Sequence, residues 1–262
     1  TADRLAGVSQ YINDGKNFAC LNAIDIFDKR GFIESKIFLN ENGRSFSFAL
    51  TKPPKLPPID SSSYDTFYHE LGFIDSLGFH RLIVFKVKIN HVLISMMKSY
   101  PILPYEKAFN APISDELYKS FIPQLKELAK TMDTVEIANF IFHFVRDGFL
   151  YPDNNDPGPN SKAKLATPEE ALSYSYLDAE DRAGLFYYLN KEILNLPLIV
   201  IEYPENKEMS VGLSLDKYGV KGDLNFRGGS FLICNPASQN DYFGKDERYK
   251  KWKYKIVVEY FP

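Results

Sequence analysis

Along the first hundred positions, apolar residues tend to recur at every second place, and further on the spacing changes to that of helices. Residues 36–39, the turn pair Asn42-Gly43 and residues 45–50 read as a β-hairpin, with Phe46, Phe48 and Leu50 on one face. The Pro-rich run 52–58 reads as a stiff extended connector. Residues 81–96 alternate as a strand does, with a helix as the other reading. From Asp133 the period is helical: Ile137, Phe140, Ile141, Phe144 and Val145 share one face, and Asp133 and Glu136 stand at capping-box spacing. Ser114 is the natural cap of the preceding helix, which Pro123 is expected to kink or split. Thr167-Pro168-Glu169-Glu170 opens a short helix, and Asp178 caps the next. Beyond Leu196 the segments 198–203, 210–215, 230–234 and 252–260 read as strands.

This order predicts an α+β fold, with helices packed on an antiparallel sheet, in two parts: a β-rich domain over 1–100 and a second domain over 101–262. The net charge of −3 gives no general attraction to a polyanion, so nucleic acid is not the expected partner. The most apolar stretch, 82–97, is interrupted by Lys86, Lys88, Asn90 and His91, which argues against membrane insertion. Two cysteines, Cys20 and Cys234, make no disulfide framework. The sequence opens Thr-Ala-Asp and carries no signal-peptide core, so it is expected to start after a removed segment. Acidic residues within 151–160 have the look of a calcium loop, but Pro157 and Gly158 fall where a ligand and the loop's own turn belong. No metal or organic cofactor is indicated.

Three stretches carry a resemblance: Thr167-Pro-Glu-Glu-Ala-Leu with Asp178-Ala-Glu-Asp-Arg-Ala, then Ile201-Glu-Tyr-Pro204, then Phe231-Leu-Ile-Cys-Asn235-Pro236. Together they resemble the bacterial transglutaminase-like superfamily, over about residues 100 to 262. The resemblance implies a papain-like core, an exported, periplasmic or extracellular location, and a Cys-His-Asp triad in motifs reading Asp-Cys-Glu-Asp-Arg, Tyr-Pro-Gly-His and Asp-Pro-Thr. A thiolate at a helix N-terminus, activated by an imidazole held in one tautomer, is a nucleophile suited to acyl transfer. Mapped motif to motif, the three positions are Ala179, Asn206 and Asn235. Ala179 offers a methyl group and Asn206 no basic nitrogen. The histidines are His69, His80, His91 and His143, so no imidazole follows residue 143.

The resemblance therefore implies a pseudoenzyme whose old groove binds a peptide, glycan or protein partner, with Tyr174, Tyr176, Asp178 and Tyr203 as groove candidates. The alternatives are an amidase or transamidase using other residues, and a purely structural module of a larger exported protein. Cys234 precedes Asn235 on a strand, so if Asn235 faces the groove Cys234 faces away, as a small buried thiol. The carboxylates of Asp178, Glu180 and Asp181 read as helix-start residues, with Asp181 at capping-box position and Arg182 as a neutralising partner. The basic C-terminal run reads as a half-buried strand, with Trp252, Tyr254, Ile256 and Val258 on one face and Lys251, Lys253 and Lys255 on the other.

Overall fold

The computed structural model describes residues 19–22, 33–39, 45–50, 64–74, 80–98, 103–151, 165–238 and 241–262. The Asn42-Gly43 turn, the Pro-rich run and the calcium-like loop after Tyr151 lie outside the described residues. The architecture is α+β. Strands β1 (Ala19–Asn22), β2 (Ile33–Leu39) and β3 (Ser45–Leu50) form an antiparallel sheet in that order, with Phe46 opposite Ile37. Strands β4 (Tyr64–Ile74) and β5 (His80–Asn90) form a long antiparallel pair.

The stretch 81–96 is both of the things its pattern suggested, divided at Asn90. Up to there Phe85, Val87 and Ile89 are buried while Lys86 and Lys88 are exposed, as in a half-buried strand. The Asn90 side chain then accepts from the backbone N–H groups of Val92 and Leu93, each at 3.0 Å, and starts helix α1 (His91–Lys98). The main hydrophobic core crosses residue 100, since these β5 residues share it with the helices that follow.

Those helices are α2 (Tyr105–Phe109), α3 (Asp115–Ala129), α4 (Thr134–Asp147), α5 (Pro168–Ser173) and α6 (Ala179–Leu194). Pro123 does not split α3, which runs through it as one helix. It lies on the exposed face, while Leu117, Phe121, Ile122 and Leu125 hold both halves against one core. Ser114 does not cap α3 with its side chain; its N–H and hydroxyl donate instead to the buried Glu169 of α5, at 2.6 and 2.8 Å. Gln124 and Ser120 of α3 bond the free backbone edge of β5 at Lys86 and Lys88, which closes that edge to further pairing. Phe144 of α4 meets Phe85 edge to face, with ring centroids 5.0 Å apart. The expected capping boxes at Asp133/Glu136 and Thr167/Glu170 are both formed.

Helix α6 is buried all round between Asp181 and Asn190, packed against α4 and a five-stranded antiparallel sheet. The sheet comprises β6 (Leu198–Tyr203), β7 (Glu208–Leu213), β8 (Leu224–Phe226), β9 (Gly229–Cys234) and β10 (Lys255–Tyr260), in the order β10-β6-β7-β9-β8. Leu198, Val200, Val211, Leu213 and Cys234 join the helical core. Ile199, Ile201, Tyr203, Phe231 and Ile233 form a second core with Tyr249, Trp252 and Ile256. Gly212 lies between Ile199 and Ile233, where a Cβ would stand 2.8 Å from each side chain. The last strand is shorter than its alternation suggested. It begins at Lys255, a 3-10 turn occupies Arg248–Lys250, and the register slips between Ile256 and Val258. Trp252 and Tyr254 thus precede the strand rather than lying along one of its faces.

One side chain fixes how α4, α6 and the segment between them meet. Arg182, fully buried, donates through Nε to the carbonyl of Leu177 (3.0 Å), through Nη1 to Val145 and Arg146 (both 2.7 Å) and through Nη2 to Phe149 and Leu150 (both 2.9 Å). Every guanidinium N–H is used. Two of the acceptors are carbonyls in the last turn of α4, which the helix itself leaves unbonded. The expected pairing of Arg182 with neighbouring carboxylates is therefore replaced by pairing with backbone. Arg182→Met should lower unfolding free energy by about 3–5 kcal/mol, since it withdraws the donor from the carbonyls of Leu177, Val145, Arg146 and Phe149 at a largely buried junction. Urea denaturation checks this; a loss under about 1 kcal/mol, the worth of a single net hydrogen bond, would show that the carbonyls find other partners.

Candidate functional site

An open cleft of about 860 Å³ runs between the start of α6 and the segment that joins β9 to β10. Asp178 and Ala179 line it from the helix, Glu208 from the start of β7, and Asn235 from the end of β9. Three stretches far apart in sequence thus converge on one cavity. Asp178 caps α6 as expected, accepting from the Asp181 N–H at 2.9 Å, and so leaves Ala179 as the first helical residue at the cleft. Asn235 is buried; its Oδ1 accepts from the Ala237 N–H at 3.1 Å and its Nδ2 donates to Asp241 at 3.1 Å. Its neighbour Cys234 is fully buried on the helical side, and burial pushes its thiol well above the usual range. The opposite-face expectation for this pair holds.

The other expected positions lie elsewhere. Asn206 is in the exposed turn between β6 and β7, where its N–H donates to the Tyr203 carbonyl at 3.1 Å. It does not line the cleft; Glu208, two residues on, does. Tyr174 and Tyr203 are buried at 5% and 0% exposure, so neither forms a wall. Tyr176 is half-buried, bridged to Leu150, and also outside the lining. Of the groove candidates, Asp178 alone meets the cleft.

The ring that does line the helix side is Tyr151. The Arg182 guanidinium lies 3.7 Å from its centroid, and its hydroxyl donates to the Ala237 carbonyl. Across the cleft, seven of the fourteen lining residues come from 241–252, of which the strand reading took in only the basic end. Buried Asp246 anchors this run. Arg248 binds it in two-pronged fashion, Nε to Oδ1 and Nη2 to Oδ2, both at 3.0 Å. Arg248 also donates to the Glu208 carboxylate and, at 2.8 Å, to Ser210, whose hydroxyl donates to Asp246. Trp252 leans edge-on against Tyr203, centroids 5.5 Å apart. Tyr203 thus braces the wall from behind. Gly244 followed by an acid and a base two apart, Asp246 and Arg248, was the available sequence signal.

Asp181 sits under the site. Its expected cap-box contact is absent; one carboxylate oxygen accepts instead from the Ala166 N–H at 2.7 Å, and the other is buried without a partner among the described residues. Burial, helped by the negative charges of Asp178, Glu170 and Glu180, pushes its carboxyl from 3.8 up to about 8. Arg182, committed to carbonyls, makes no ion pair with it.

Among the described residues no group of histidine, cysteine and acidic side chains is arranged to hold a metal ion. No described helix is long and apolar enough to cross a membrane. Compared with known proteins, the chain matches no family model, no curated protein and no solved structure.

Two outcomes follow. Below about pH 4 Asp181 is protonated folded and unfolded alike; above that, the fold keeps a proton that the unfolded chain releases. Stability should therefore fall as pH rises from 3.8 towards 8 and level off beyond. Asp181→Asn should flatten that slope and leave the variant more stable than the parent at pH 8, as read by thermal melts across pH; an unchanged slope would place the proton elsewhere. Arg248→Met should cost about 3 kcal/mol by leaving Asp246 buried and unpaired, and Asp246→Asn in the same chain should recover part of it, measured by urea denaturation.

Proposed function

We propose that the chain is a binding module on a transglutaminase-like plan, a pseudoenzyme whose cleft takes a ligand without turning it over. The observation that carries this reading is the residue at the head of α6. A helix N-terminus opening into a cleft is the site at which a thiolate nucleophile is best stabilised, and Ala179 occupies it. The residues beside it support the same reading. Glu208 stands where a base would face the helix start, but its carboxylate is engaged by Arg248. Asn235 holds its loop through Ala237 and Asp241. Among the described residues, thiol and imidazole do not occur in the lining.

The cleft itself is kept open and polar rather than filled by core side chains, which favours ligand binding over a purely structural role. The papain-like arrangement belongs to this proposal, as does an extracytoplasmic setting.

The test compares the chain with a variant carrying Ala179→Cys, Glu208→His and Asn235→Asp in peptidase, esterase and transamidation assays. The parent should be silent with every substrate, and the variant should form an acyl-thiol adduct with activated esters. Turnover by the parent that disappears in Asp178→Asn would overturn the pseudoenzyme reading.

A further inference from the structure

The cleft's lining selects among ligand classes. Among the described residues its non-aromatic apolar side chains are Ala179 and Ala237, with no Leu, Ile, Val, Met or Phe. A groove that reads peptide side chains offers apolar pockets for alternate residues, and the lining supplies none. Its apolar area comes instead from two amphipathic rings, Tyr151 and Trp252. Both are braced. Tyr151 is held by the Arg182 guanidinium and by its bond to the Ala237 carbonyl, and Trp252 by Tyr203.

The charges are largely cancelled inside the site. Glu208 and Asp246 are engaged by Arg248, and Glu247 by Lys250 at 2.9 Å. That leaves Asp178 and Asp241 against Lys245 and Lys251, two of each sign. With one guanidinium shared by two carboxylates the lining stays net negative, which disfavours an anionic ligand. It does present planar carboxylate and amide oxygens, which accept hydroxyl protons, and ammonium donors in a lining that also holds two flat rings.

We infer that the cleft is a saccharide site that takes a short neutral oligosaccharide, its C–H faces against Trp252 and Tyr151 and its hydroxyls on Asp178, Asn235 and Asp241. The inference rests on the binding-cleft reading above. It also brings a direct readout, because Trp252 is the only tryptophan in the sequence, so intrinsic emission reports the cleft itself.

The experiment titrates the whole chain with a panel of neutral oligosaccharides (cello-, xylo-, manno-, malto- and chito-oligomers) and a random peptide library, following Trp252 emission and heat of binding. At least one oligosaccharide should give a saturable change in emission. Trp252→Ala should weaken the heat-detected binding up to about tenfold, the range of a lost aromatic contact. Asp241→Asn, at a half-exposed position and still able to accept from the Asn235 amide, should weaken it as well while the melting temperature stays near that of the parent. Saccharide binding that leaves emission unchanged and survives both substitutions would move the site elsewhere and overturn the inference. Emission changes with peptides and none with saccharides would overturn the saccharide class and leave the binding cleft standing. No response to either class would overturn both.

Discussion

The buried guanidinium of Arg182 is the constraint on which the rest depends. A fully desolvated cation is unfavourable unless every donor is matched, and here each N–H meets a backbone carbonyl. The matching works only if the last turn of α4, the turn at Phe149–Leu150 and the approach to α6 hold their positions together. Leu150 and Leu177 add backbone bonds of their own across this junction, to Ser175 and Leu150. The consequence runs outward to the cleft. Tyr151 stacks on the guanidinium and reaches the Ala237 carbonyl, and Arg146 at the end of α4 donates to the Asp241 carbonyl at 2.8 Å. The same commitment explains Asp181: its sequence neighbour is the nearest cation by chain, yet that cation is directed to carbonyls, so the two make no ion pair.

This arrangement accounts for a helix start that keeps its acids and its arginine around an alanine. Asp178 caps the helix, Asp181 ties Ala166 to it, Arg182 locks it to α4, and Thr167 with Glu170 closes the preceding short helix. None of these contacts needs a reactive group at Ala179. A scaffold of this kind can present an open helix N-terminus whatever chemistry stands there. The opposite wall has its own anchor, the buried Asp246 with Arg248 and Ser210, which sets Trp252 at the cleft and occupies Glu208. Both walls are therefore built from long-range polar contacts. The sheet beneath them rests on two apolar cores.

What could be read from the sequence was what depends on near neighbours. The boxes at Asp133 and Thr167, the cap at Asp178, the strand over 198–203 and the opposite faces of Cys234 and Asn235 all follow from spacing within a few residues. Where partners are distant, spacing misled. Pro123 looked like a break because its effect was judged without the core that spans it. Tyr174 and Tyr203 looked like walls because a tyrosine's polar tip says little about whether its ring faces the cleft or the core. Residues 252–254 continued an alternation that the chain itself interrupts before Lys255. Asn206 looked like a cleft residue because the pattern does not fix the length of the exposed β6–β7 turn; Glu208 lines the cleft instead.

The central claim is that the head of α6 opens into a cleft at residue 179. The most direct measurement is the alkylation of an Ala179→Cys thiol by iodoacetamide under native conditions, mapped by mass spectrometry against Cys234 in the same chain. Residue 179 should label in the folded protein while Cys234, fully buried, labels only after unfolding. A thiol at residue 179 that stays unlabelled until the protein is denatured would mean that the helix start is sealed, and the cleft with it.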